Sequence, residues 1–186
     1  MKGLIIVIVV VLLIAAWLIS TYNGLVSLRN KVRDQWAQID VLLKRRSDLI
    51  PNIVETVKGY AKHEEGTLEA VVAARNKLVA APSKEAEIEA NGELTGALNR
   101  LFALTEAYPE LKANQNFMDL QNNLKETEDK ISYARQFYND SVTMYNTKLK
   151  TIPSNIIAGM LHLQDQPLFT VESDEAAKNV KVDFNN

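Results

Sequence analysis

The chain has no cysteine, only two histidines and seven glycines among its 186 residues. Without a thiol there is no disulfide framework, no thiolate metal site, no cysteine nucleophile and no anchor lipidated through sulfur. The histidines are far apart. His63-Glu64 is followed by Glu65-Gly66-Thr67, so the second histidine of a metalloprotease helix is missing, and His162 lies about a hundred residues on. The glycines build neither a phosphate-cradling loop nor a dinucleotide fingerprint, and no serine sits in a Gly-x-Ser-x-Gly elbow. A large charge excess is also lacking: 21 basic against 23 acidic residues give a net charge of −2. That balance provides no electrostatic footprint for nucleic acid. The acidic groups Glu126, Glu128 and Asp129, and Glu64, Glu65 and Glu69, read as solvated helix faces, because residues two apart on a helix diverge in direction. No catalytic, metal or cofactor site is expected.

What the sequence does have is one long apolar run. From Leu4 through Val11 to Trp17 and Ile19 it reads LIIVIVVVLLIAAWLI, with no charge and no proline. With Gly3 the run is 17 residues, about 26 Å as a helix and close to the roughly 30 Å hydrocarbon thickness of a bilayer. Trp17 and Tyr22 stand at its distal end, where amphipathic rings favour the headgroup layer. A cleavable signal peptide is the competing reading. It fits less well, because the run exceeds a usual hydrophobic region and Ser20-Thr21-Tyr22-Asn23-Gly24 lacks a small-x-small cleavage pattern. A retained single-pass anchor is expected. Lys2 lies on one side; Arg29, Lys31 and Arg33, with Asp34, lie on the other. The positive-inside bias then leans to a cytoplasmic large domain, by a margin of about one charge, and leaves the periplasmic or extracellular side open.

Beyond the span, Leu25, Leu28, Val32, Ile39, Leu42 and Leu49, widened by Trp36, Leu43 and Ile50, recur at helical spacing. The spacing predicts an amphipathic helix continuing out of the membrane, with Asn23-Gly24 the place for a bend. A helix break is expected near 46–49, where Lys44-Arg45-Arg46 ends one helix, Ser47 or Asp48 caps the next, and Pro51 falls in its first turn. A second helix then runs to about Val79, and a third from Glu85 to Tyr108. A long helix of about 36 residues follows, from near Phe117 to Ile152, stopped by Pro153. A short piece covers Ile156 to Leu163. The fold class is all-α: a transmembrane helix continuing into an elongated antiparallel bundle of about four long helices. Residues 1–22 form the anchor, 23–163 the helical domain, and 164–186 a tail that is either an extended strap or mobile. Arg45, Arg46 and Asp48, with Arg135 and Asn139, are expected to form a structural polar network rather than a reactive site.

Several runs resemble the LemA family. They are Tyr22 to Val26 with Leu28-Arg29-Asn30, Trp36 to Val41, Leu43 to Asn52, Val54 to Ala61 and His63-Glu64. In the second half they are Tyr108 to Leu111, Asn114 to Phe117, Leu120-Gln121, Ala134-Arg135 through Tyr138-Asn139, Pro153-Ser154-Asn155 and Val182-Asp183-Phe184. Ile152 departs from the aromatic residue common before the proline. The resemblance implies a bacterial protein of the cytoplasmic membrane with one N-terminal span and an all-helical domain, and it brings no catalytic residues. One relative takes part in building magnetosome membranes, and family genes often neighbour those for membrane metalloproteases.

Anchor, amphipathic stalk and overlong helices together predict a non-enzymatic scaffold or adaptor that forms a homo-oligomer. Leu25, Leu28, Val32, Trp36 and Ile39 are its expected association surface. The alternative is a regulatory partner or substrate of a membrane metalloprotease, which rests on the resemblance.

Overall fold

A computed structural model describes residues 2–170. It is all-α, with six helices in chain order among the described residues: α1 (Lys2–Tyr60), α2 (Glu65–Val79), α3 (Lys84–Thr105), α4 (Pro109–Lys112), α5 (Gln115–Lys150) and α6 (Ser154–Met160). The described part divides into two compact units. One comprises α1 up to Asp48 with 121–168; the other comprises Leu49–Leu120 and the chain from Phe169.

In the first unit the apolar run of α1 stands apart from any packing. Residues 2–20 are exposed save half-buried Ala15, and burial begins at Thr21 and Leu25. From there the core stripe of α1 is Leu25, Val32, Trp36, Ile39, Leu43 and Arg46, at alternating steps of three and four or their sum. The matching stripe of α5 is Leu124, Thr127, Ile131, Ala134, Tyr138, Val142, Tyr145 and Leu149. The two helices run antiparallel: Trp36 meets Tyr138 edge to face with ring centroids 5.1 Å apart, and Arg46, ten residues on, meets Glu128, ten residues back. Leu42 and Leu49, placed on the stripe by sequence spacing, are only half-buried; Leu43 and Ile50 occupy the inward positions.

After Pro153 the chain turns into α6, which buries Ser154, Ile157 and Ala158. It then runs back along α5 without regular structure. Tyr138 Oη donates to the Pro167 carbonyl (2.8 Å). Asn146 exchanges two bonds with Gln166, donating from Nδ2 to its carbonyl and accepting its N–H at Oδ1 (both 2.9 Å). Up to residue 168 the tail is therefore an extended strap; the expectation for 171–186 lies outside the described residues.

The second unit is built on the hairpin of α2 and α3. Lys77 of α2 reaches both Glu89 (3.3 Å) and Glu93 of α3. The carboxylates, the hydrogen bond to Glu93 first, hold its ammonium above the usual lysine range. Ser83 caps α3, its Oγ accepting from Ala86 N–H at 3.3 Å. Leu68, Val71, Ala74 and Leu78 of α2 and Ala90, Leu94, Ala97, Leu98 and Leu101 of α3 form the inner faces.

Two helix boundaries differ from the sequence reading. The break expected near 46–49 does not occur: α1 passes through Pro51. An interior proline gives no N–H to the carbonyl one turn earlier and costs roughly 3 kcal/mol. Burial outweighs this on both sides, through Leu43 and Arg46 in the first unit and Ile50, Ile53 and Val57 in the second. The sequence signals there mark the boundary between the units, after Asp48, rather than a helix end. The break instead falls at 61–64, in what reads from sequence as one helix. Side chains hold that corner: Tyr108 Oη donates to Glu64 Oε1 (3.2 Å), and Asn114 Nδ2 donates to Tyr60 Oη (2.9 Å). Asn114 also caps α5, accepting from Phe117 N–H at 3.0 Å.

Candidate interaction site

Both faces of α5 in the first unit follow from its sequence. Positions 131, 134, 138, 142 and 145 carry apolar groups and go inward. On the flank of that stripe, about 120° round the helix, positions 133, 137 and 144, spaced four and seven apart, carry Tyr133, Phe137 and Met144, which are exposed. This outward row is apolar where a solvated helix face would be polar. Lys130 and Glu126 form an i,i+4 ion pair at its upper end, and Arg45 lies 4.0 Å from the same carboxylate. Lys130 first, then Arg45, holds the Glu126 carboxyl below the usual glutamate range.

Beside this row runs an open groove of about 490 Å³, with Lys31 and Gln35 of α1 on one wall and Phe137, Asp140, Ser141 and Met144 of α5 on the other. Ser141 Oγ donates to the Phe137 carbonyl (2.9 Å). The groove offers apolar surface with one cation and one anion on opposing walls. Among the described residues, no three of His, Cys, Asp and Glu come together as a metal would require.

The residues expected to form the association surface lie mostly inside the first unit. Leu25, Val32, Trp36 and Ile39 are buried, and Leu28 is half-buried. The amphipathic stripe of α1 is covered by the chain's own second half, 80 to 120 residues later, which one-dimensional spacing does not reveal. Periodicity counts Phe137 among the apolar positions of the long helix without saying which way it faces; in the structure it is exposed. The surviving signal was density: α5 carries more apolar positions than one inward stripe can absorb.

The polar residues separate likewise. Arg46 sits at a core-stripe position, its side chain 2% exposed and its Nη2 3.1 Å from Glu128 Oε2, while the Glu128 side chain is 43% exposed. Burial pushes the guanidinium below its ordinary value, and the Glu128 carboxylate opposes this. Arg45 is exposed and reaches only the outer carboxylate. Asp48 caps nothing, because the helix does not end there. Arg135 and Asn139 are half-buried one turn apart on α5. At the far end of the unit, burial first, then Asp165, pushes the Tyr145 phenol up, against the charge of Arg29.

Leu4, Val11, Trp17 and Ile19 lie exposed on the helix whose apolar stretch is long enough to cross a bilayer. The fold is thus that of a helical membrane protein, one apolar helix leading into packed all-α units. The chain belongs to the LemA family, whose profile matches residues 35–184. It is similar to Protein LemA of Metamycoplasma hominis, 27% identical over 157 residues, which cover 82% of this chain and 70% of that protein. It is also similar to Magnetosome protein MamQ 2 of Paramagnetospirillum magneticum, 24% identical over 77% of this chain. Magnetosome protein MamQ of Magnetospirillum gryphiswaldense is 23% identical over 76%. The chain spans only 62% and 61% of those two MamQ proteins.

Proposed function

We propose that this protein is a non-enzymatic, membrane-anchored scaffold or adaptor that associates with a second copy of itself through the outward face of α5. The observation that carries the reading is the row Tyr133, Phe137 and Met144, exposed beside a groove with Lys31 on one wall and Asp140 on the other. A patch holding both signs of charge around an apolar row is self-complementary, as a two-fold interface requires. Copies anchored in one bilayer share an orientation, so such a dimer has its axis along the membrane normal. Anchoring also raises the effective concentration of each copy for the next. On this reading the span lies in the bacterial cytoplasmic membrane and the helical domain in the cytoplasm, the side supported by the excess of about one Lys or Arg after the span. The relatives named as magnetosome proteins are compatible with a role in organising membranes.

Light scattering on the full chain in detergent, over a wide concentration range, tests the association. The wild type is expected as a dimer or larger and Phe137→Asp as a monomer; a wild type that is strictly monomeric refutes the reading. Single cysteines replacing Lys2 or Asn186 report the side, since the chain has no other thiol. Labelling of the Asn186→Cys variant by an impermeant reagent in spheroplasts would overturn the cytoplasmic placement.

A further inference from the structure

The antiparallel register of the first unit fixes where its lower end lies. Trp36 is opposite Tyr138, and α5 continues twelve residues further, to Lys150. At 1.5 Å per residue that is about 18 Å, which brings the end of α5 level with about residue 24 of α1. Packing on α1 reaches down to Thr21, which is buried although all but one of the residues before it are exposed. The turn and α6 therefore sit at the level where the apolar span ends and where Trp17 and Tyr22 carry their rings.

The side chains there have an unexpected character for an aqueous surface. α6 turns Ser154, Ile157 and Ala158 inward. Outward, α6 and the residues flanking it show Ile152, Ile156, Met160 and Leu161, exposed to 77%, 61%, 75% and 40%. Four large apolar groups within ten residues would be costly in water and are favourable at the boundary between headgroups and acyl chains. Exposed Lys148, one turn back on α5, and Arg29 on α1 lie just above them, where cations meet lipid phosphates.

We propose that the Ile152–Leu161 segment is a second membrane contact, seated in the bilayer interface beside the N-terminal span. The occupant is lipid because the patch continues the surface that the span already presents. α6, seven residues long, has too few turns to form alone. Its attachment to α5 holds it in place, so the first unit meets the bilayer at two points and cannot swivel freely about a single helix.

The test uses the full chain in nanodiscs of mixed phosphatidylcholine and phosphatidylglycerol. Single cysteines at Ile156 and Met160, read independently, carry an environment-sensitive fluorophore; Val11→Cys is the embedded control and exposed Val41→Cys the aqueous one. Lipids bearing a spin label near the headgroup are expected to quench the probes at 156 and 160 several-fold more than the probe at 41, with iodide doing the reverse. Iodide quenching equal to that at 41 would overturn the proposal. So would shielding from both quenchers, which is the signature of a second copy over the patch.

Discussion

Removal of the Glu128 carboxylate tests how the first unit holds a charge inside an apolar stripe. Arg46 occupies a position that the spacing from Trp36, Ile39 and Leu43 reserves for an apolar group, and its side chain is 2% exposed. Breaking a fully buried pair by deleting one partner costs about 3–5 kcal/mol, because a buried charge loses its counter-ion. Here the Glu128 side chain is 43% exposed, so water replaces part of what it supplies. The cost of Glu128→Ala is therefore about 1.5–3 kcal/mol, near that of a charge-assisted hydrogen bond. Arg46→Met behaves differently. Methionine fills the same stripe position without a charge, and the stranded Glu128 turns to solvent, so the change is within about 1 kcal/mol of neutral or stabilising. Denaturant unfolding of the full chain in micelles, followed by Trp36 fluorescence in a Trp17→Phe background, reports this unit. Equal losses for the two variants, or a Glu128→Ala loss below about 0.5 kcal/mol, would refute the reasoning.

Pro51→Ala should stabilise the protein by roughly 1–3 kcal/mol in the same assay, by restoring the missing donor inside α1; any destabilisation contradicts a helical Pro51. Tyr145 is fully buried and its phenol is held above the usual value of 10.0, chiefly by desolvation. Its contribution is complete below that pH and is lost as pH rises through the higher folded value. Wild type should lose stability there while Tyr145→Phe loses less, and identical alkaline curves would contradict it. Tyr138→Phe deletes the 2.8 Å bond to the Pro167 carbonyl, at a cost of about 1 kcal/mol. Limited proteolysis should then cut the 163–168 strap faster, and an unchanged rate would show that the strap is held otherwise.

Several features were legible because they depend on local chemistry. The apolar run, the 36-residue α5 and its stop before Pro153 each rest on residues adjacent in sequence. Helical periodicity also showed that α1 has an inward face after the span. What it did not show was which neighbour that face meets. Leu25, Val32, Trp36 and Ile39 have the same spacing whether they bind a partner or the chain's own α5, and only the antiparallel pairing through Trp36 and Tyr138 decides between them. The same holds for Pro51. Its local effect is to break a helix, and burial of residues on both sides overrides it. The break at 61–64 has the converse cause, since it is fixed by Tyr108 and Asn114, 44 and 54 residues away from their partners. The sequence by itself determined that a membrane span leads into amphipathic helices. The tertiary structure decided which apolar residues are spent inside, and so which ones, on α5 and α6, are left facing outward.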